Sequence, residues 1–337
     1  MTSLIDFATI WAFIIAFAVF IYVVMDGFDL GLGILFPLFP EKADRDVIMN
    51  SVAPVWDGNE TWLVLGGGGL MAAFPLAYAV LMPALYTPMI AMLIGLIFRG
   101  VAFEFRWRTT QRTRNRWDIA FAGGSLLASL AQGIALGAIL QGVHVEGRHY
   151  AGGWWDWLTP FSILTGLALI VGYALLGATW LVMKTEGELR DKAYRLSWFL
   201  LFAMLGAIGA VSIATPFLHF QYAQRWFTWP NVILTAPVPI AVAAVTVMLL
   251  RSLANRQDYR PFFLSLALFA LSYGGLGISM YPYIVPQSIT IWQAASPENS
   301  LIFMLFGVAV LVPLILGYSA WAYWVFRGKV RPESGYH

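Results

Sequence analysis

The chain has 337 residues, 60% of them hydrophobic and only 11% charged, with a formal net charge of +2 and a mean hydropathy of +0.73. That balance excludes an ordinary soluble domain and marks a polytopic membrane protein. The absence of cysteine excludes disulfides, thiolate metal sites and iron–sulfur clusters, which leaves histidine, methionine or a partner chain to carry any redox centre.

A helix needs roughly 20 apolar residues to cross the hydrocarbon core, and continuous rather than alternating apolar runs predict helices. Nine runs qualify, at residues 8–35, 57–79, 80–104, 118–142, 160–183, 197–217, 231–250, 262–284 and 301–326. The expected fold is all-α, a single integral membrane unit over 1–337. Helices within 1–142 carry the intramembrane ionisable groups, and 160–326 form the remaining five-helix portion.

The first run lacks a basic leader and a small-residue cleavage site and carries Asp6, so it reads as a retained helix. Its far end, VVMDGFDLGLG, sets Asp26 and Asp29 three residues apart, about 60° around a helix and on one face. Gly27 and Gly31 beside them form a G-x-x-x-G spacing that lets another backbone approach. The second run opens with APVWDGNETW, where Asp57 and Glu60 are again three apart; Asp57 in a first helical turn also suits the macrodipole, so a purely helix-starting role stays open. Four successive glycines at 66–69 and Pro75 interrupt this run, yet residues 61–79 hold no charge, and small residues in a membrane helix permit close packing.

The third run ends LIGLIFRGVAFEFRWR, placing Arg99 inside the membrane and Glu104 near its mouth, and the fourth begins at Asp118. Four helices thus bring charge to one depth on one side, where each unpaired charge costs at least a few kcal/mol. Two roles follow: Arg99 neutralising Asp29 or Asp118 to hold the bundle, and Asp57 with Asp26 or Glu60 carrying protons.

Across nine spans, 17 of the 20 basic residues fall on one side, from Lys42 and Arg45 through Arg106–Arg116 and Lys184–Arg195 to Arg327–Arg331. Arg148 and Arg225 lie opposite, and Arg99 lies within. The positive-inside rule then puts the carboxyl terminus in the cytoplasm and the amino terminus outside. Trp154, Trp155, Trp157, Trp226, Trp229, Trp321 and Trp324 stand near span ends and read as interfacial anchors. The four histidines, His144, His149, His219 and His337, fall outside the spans, so a haem iron held within this chain's bundle would lack its usual ligand.

The blocks MDGFDLGLG (25–33), NSVAPVWDGNETWL (50–63), IFRGVAFEFR (97–106), MYPYIVPQSITIWQAAS (280–296) and VPLILGYSAWAYWVF (312–326) resemble subunit II of the cytochrome bd-type quinol oxidases over essentially the whole chain. The GNETWLVLGGGG form of the second block, with the short connection between the sixth and seventh spans, looks more like the cyanide-insensitive branch. The resemblance implies a subunit of a bacterial inner-membrane terminal oxidase that passes electrons from quinol to dioxygen. It implies haems b558, b595 and d held by an obligate subunit I, protons drawn from the cytoplasm, a possible structural quinone and a possible small accessory subunit, with lipid and quinol as the other partners. The position matching Asp57 is associated in that family with a proton path, and those matching Asp29, Arg99 and Asp118 with haem assembly or stability. Glu104 belongs with the latter set, and no catalytic or metal-ligating residue is assigned to this chain. A purely structural partner subunit and a secondary transporter remain the rival readings; the transporter would show internal symmetry, which the early acidic cluster lacks.

Overall fold

The computed structural model describes residues 5–330; Arg331 and His337, which entered the charge and histidine arguments, lie outside the described residues, as does the side chain of Arg112. The chain folds into α1 (Phe7–Leu35), a 3-10 turn (Phe36–Leu38), α2 (Lys42–Val52), α3 (Trp56–Ala73), α4 (Pro75–Ala84), α5 (Tyr86–Arg108) and α6 (Gln111–Leu140). After the hairpin β1 (Val145–Glu146) and β2 (His149–Tyr150) come α7 (Pro160–Lys184), α8 (Gly187–Leu218), α9 (Phe220–Phe227), α10 (Asn231–Thr235), α11 (Pro237–Ala254) and α12 (Arg260–Met280). A second hairpin, β3 (Tyr283–Val285) and β4 (Ile289–Thr290), leads through α13 (Ile291–Ala294) into α14 (Glu298–Val325).

Among the described residues, eight helices are long and apolar enough to cross a membrane: α1, α5, α6, α7, α8, α10–α11 together, α12 and α14. The segment expected at 57–79 is not among them. Its helix, α3, stops after 18 residues because Phe74, which precedes Pro75, leaves helical geometry at φ −132° and ψ 62°. The boundary expected between residues 79 and 80 is thereby corrected to two breaks, at Phe74 and Leu85, with the short α4 between them. Even so, α3 runs antiparallel along α1: Asn59 meets Met25 and Asp29, Gly66 lies against Val19, and Gly69 against Ile15. At 1.5 Å per residue it covers about 27 Å, close to a hydrocarbon core. The helix expected at 197–217 is longer, beginning at Gly187, because the basic stretch before it continues the helix outside the apolar zone.

Both α1 and α14 start at one face, where the Trp11 indole donates to the Leu301 carbonyl at 2.9 Å, and end at the other, where Tyr323 reaches Asn59. Residues 6 and 326 therefore lie on opposite faces. The face on which α1 and α14 end carries Arg45, Arg106, Arg114, Arg190, Arg256 and Lys329 and is called the basic face below.

Helix crossings are built on absent side chains. A Cβ on Gly31 would stand 1.8 Å from the Tyr173 carbonyl oxygen, and one on Gly95 would stand 2.7 Å from the Gly124 carbonyl oxygen. These contacts bring α1 against α7 and α5 against α6, the close approach that the G-x-x-x-G spacing in α1 predicts. A large buried cluster then packs around Phe28, Leu32, Phe121, Tyr173, Trp180 and Phe262, with Phe28 stacked on Trp180 at 4.2 Å between centroids. By contrast, α14 buries only Leu301 fully.

Candidate functional site

The acidic residues of α1 point into the bundle near its basic face because the glycines beside them draw α7 in, and both Asp26 and Asp29 have no accessible surface. They turn to different neighbours. Asp26 accepts a hydrogen bond from the Arg99 guanidinium of α5, while Asp29 accepts from the Asn59 amide of α3 at 2.8 Å. Asn59 is fixed in turn by the Tyr323 hydroxyl of α14, which donates to its side-chain oxygen at 2.7 Å. Arg99 is itself fully buried; it lies over the Trp56 ring at 5.6 Å and 3.7 Å from the Glu60 carboxylate. Asp26 Oδ2, Asp29 Oδ1 and Arg99 Nε have no hydrogen-bond partner among the described residues.

Glu60 is the graded member of the set, its side chain 30% exposed where that of Arg99 is 0%. Asp57, three residues earlier on α3, is exposed, and its carbonyl accepts from the Thr61 hydroxyl at 2.8 Å. Toward the membrane interior, Gln132 donates to the Tyr22 hydroxyl at 2.6 Å and the Tyr173 hydroxyl donates to Gln132 at 2.8 Å.

The expected partnership of Arg99 with Asp29 or Asp118 is corrected. Arg99 bonds Asp26, and Asp118 belongs to a second network, accepting from Arg106 Nε at 2.6 Å and Arg45 Nη1 at 2.9 Å. Arg106 also bonds Asp46 at 2.7 Å, which Arg114 approaches at 3.5 Å. The antiparallel register of α5 and α6 explains the division: Gly95 and Arg99 face Gly124, so Asp118 lies farther along, opposite Arg106. Glu104 is outside both networks, exposed and 3.7 Å from Arg108 one turn away. Arg45, Asp46, Arg106, Tyr22, Gln132 and Tyr323 are contributors that the sequence reading left out of the site.

Haem ligation tests the chain's donors. His144 and His149 are exposed in and beside the first hairpin, and His219 stands at the α8–α9 junction with Nε2 2.6 Å from the Gln141 carbonyl oxygen. Within the bundle, then, the described histidines do not fit an axial haem ligand.

Comparison with known proteins follows the same lines. Residues 7–326 match the family described as cytochrome bd terminal oxidase subunit II. The chain is 33% identical to the cytochrome bd-I ubiquinol oxidase subunit 2 of Escherichia coli strain K12, covering 96% of this chain and 95% of that one. It is 27% identical to the cytochrome bd ubiquinol oxidase subunit 2 of Bacillus subtilis strain 168, with 98% of each covered. The bd oxidase structure from Geobacillus thermodenitrificans shares the fold at a TM-score of 0.73 and 18% identity, over 95% of this chain and 99% of that one. The chain belongs to the cytochrome bd terminal oxidase subunit II family, multi-pass inner-membrane subunits of a quinol:oxygen oxidoreductase.

Proposed function

We propose that this chain is the subunit that holds no haem, that haems b558, b595 and d sit in subunit I, and that protons enter from the cytoplasmic basic face through Asp57, Glu60 and Asp26. Asp29, Arg99, Asp118 and Glu104 are assigned to holding the assembly. The observation that carries the proton reading is the position of Glu60, half-buried between exposed Asp57 and the fully buried Arg99–Asp26 pair. One guanidinium beside Asp26, Asp29 and Glu60 balances one carboxylate, so the other two offer places for protons in a low-dielectric site. Asp26 sits tightest in this sequence, fully buried and held by Arg99.

The test is turnover of the two-subunit oxidase with Asp57→Asn or Glu60→Gln, changes that keep size and remove titration. Quinol oxidation slowed on the order of tenfold, with haem absorbance intact, is expected of a lost relay. Unchanged turnover in both variants rejects the path. A purely structural role is the second reading, favoured by the Tyr323–Asn59–Asp29 tie between α14, α3 and α1; it is distinguished by haem loss accompanying any loss of turnover.

A further inference from the structure

A lateral groove of about 490 Å³ opens at the basic face between the end of α1 and the first half of α6, within the roughly 300–1,000 Å³ of typical ligand sites. Its wall is apolar, with Ile34, Phe36, Ile119 and Leu126, and its outer end is polar, with Arg45, Asn115 and the Asp118 carboxylate, with which Arg45 and Arg106 both pair. Ile119 is 72% exposed and Leu126 45% exposed, so the groove faces sideways, where hydrocarbon lies, rather than into the bundle. From Asn115 to Leu126 the helix rises about 16 Å, close to half of a ~30 Å hydrocarbon core. The groove thus has the depth of one leaflet, with its polar end at headgroup level.

The charge at that end is lopsided. Arg45 and Arg106 share Asp118, Arg106 and Arg114 share Asp46, and exposed Arg116 follows Asn115, leaving arginines in excess of carboxylates. Arg45 is held in place by the Phe39 carbonyl at 2.7 Å and by Asp118, and its guanidinium lies over the Phe36 ring that lines the groove. We infer that the groove binds one anionic phospholipid, its acyl chain along Ile34, Ile119 and Leu126 and its headgroup phosphate at Arg45 and Asn115. A neutral headgroup would satisfy the apolar wall but not the surplus positive charge.

Gly123 supplies a variant that the fold tolerates, since a Cβ there meets nothing within 4 Å and a leucine side chain would grow into the groove. The test is native mass spectrometry of the intact two-subunit complex released from mixed phosphatidylcholine–phosphatidylglycerol bilayers, with haem content as the control for folding. The wild type is expected to retain one phosphatidylglycerol that Gly123→Leu loses, and Arg45→Gln should lower its occupancy about fivefold, the effect of one basic residue at an anionic surface. A photo-crosslinker at Ile119 should label lipid. Retention of phosphatidylcholine instead, equal occupancy in Gly123→Leu, or a crosslink from Ile119 to a polypeptide would each overturn the assignment.

Discussion

Arg99 is fully buried and hydrogen-bonds one carboxylate, Asp26, so removing either partner strands the other in a poorly polarisable interior. Arg99→Gln is expected to cost about 3–5 kcal/mol, because an uncompensated buried charge is far worse than no charge. Arg99→Gln combined with Asp26→Asn should recover most of that loss, and thermal unfolding of the two-subunit complex measures both. A double variant no more stable than the single one would show that Arg99 acts through contacts other than this pair, such as Trp56 or Glu60. The sequence made Arg99, Asp26, Asp29 and Glu60 visible because charge inside an apolar run is conspicuous. It hid the pairing, since Asp26 and Asp29 share a helix face and only the packing of α3 and α5 decides which of them meets Arg99. Gln132 and Tyr323 were hidden for another reason: a neutral amide or phenol in a membrane segment carries no charge signal, and its role emerges only from distance.

At the level of helices, α1 and α7 are held together where Gly31 meets the Tyr173 backbone. Gly31→Val should force them apart and abolish assembly of the complex, whereas Gly206→Ala on α8, with nothing within 4 Å of its Cβ, should leave stability level or raise it by up to about 1 kcal/mol. Size-exclusion profiles and unfolding midpoints read both outcomes. The chain beyond α14 supplies a second case. Lys184 donates to the Phe326 and Gly328 carbonyls, Val330 donates to the Lys184 carbonyl at 2.8 Å, and Lys329 bonds Asp258 at 2.6 Å. Partial burial pushes the Asp258 carboxyl upward, but the Lys329 hydrogen bond and charge, with Arg190, outweigh it and hold Asp258 below its ordinary value near 3.8. A depressed carboxylate stabilises the fold above its unfolded value, and that contribution disappears as pH falls through the native one. Proteolytic nicking at Lys329 should therefore be slow at neutral pH and rise below about pH 4, while Asp258→Asn should nick readily at both. The helices themselves were legible from apolar run length, and the misjudged one was α3. Pro75 was treated as a tolerated interruption, but the residue before a proline is pushed out of helical geometry, and Phe74 ends the helix there.

Among the described residues, the buried carboxylates and arginines Asp26, Asp29, Arg99, Arg106 and Asp118 gather near one face of the bundle, while the described histidines lie in hairpins and junctions. The described histidines thus stand outside the bundle, in keeping with the proposal that a neighbouring chain ligates the haem iron. Expressed without a partner and purified in detergent, this polypeptide should show no visible haem absorbance, and co-expression with the family's companion subunit should restore the haem bands to the complex. The helical fold should also be less robust alone, because α14 buries little of its own surface and exposes Phe303, Phe306, Leu314, Tyr318 and Trp321. Circular dichroism separates the two expectations: a folded, helical and colourless chain supports the division of labour, whereas an unfolded one reports only on stability. Stoichiometric haem on the folded chain by itself, removable by substituting one of its own methionines or tyrosines, would place iron in this subunit and transfer to it a role that its histidines do not equip it to fill.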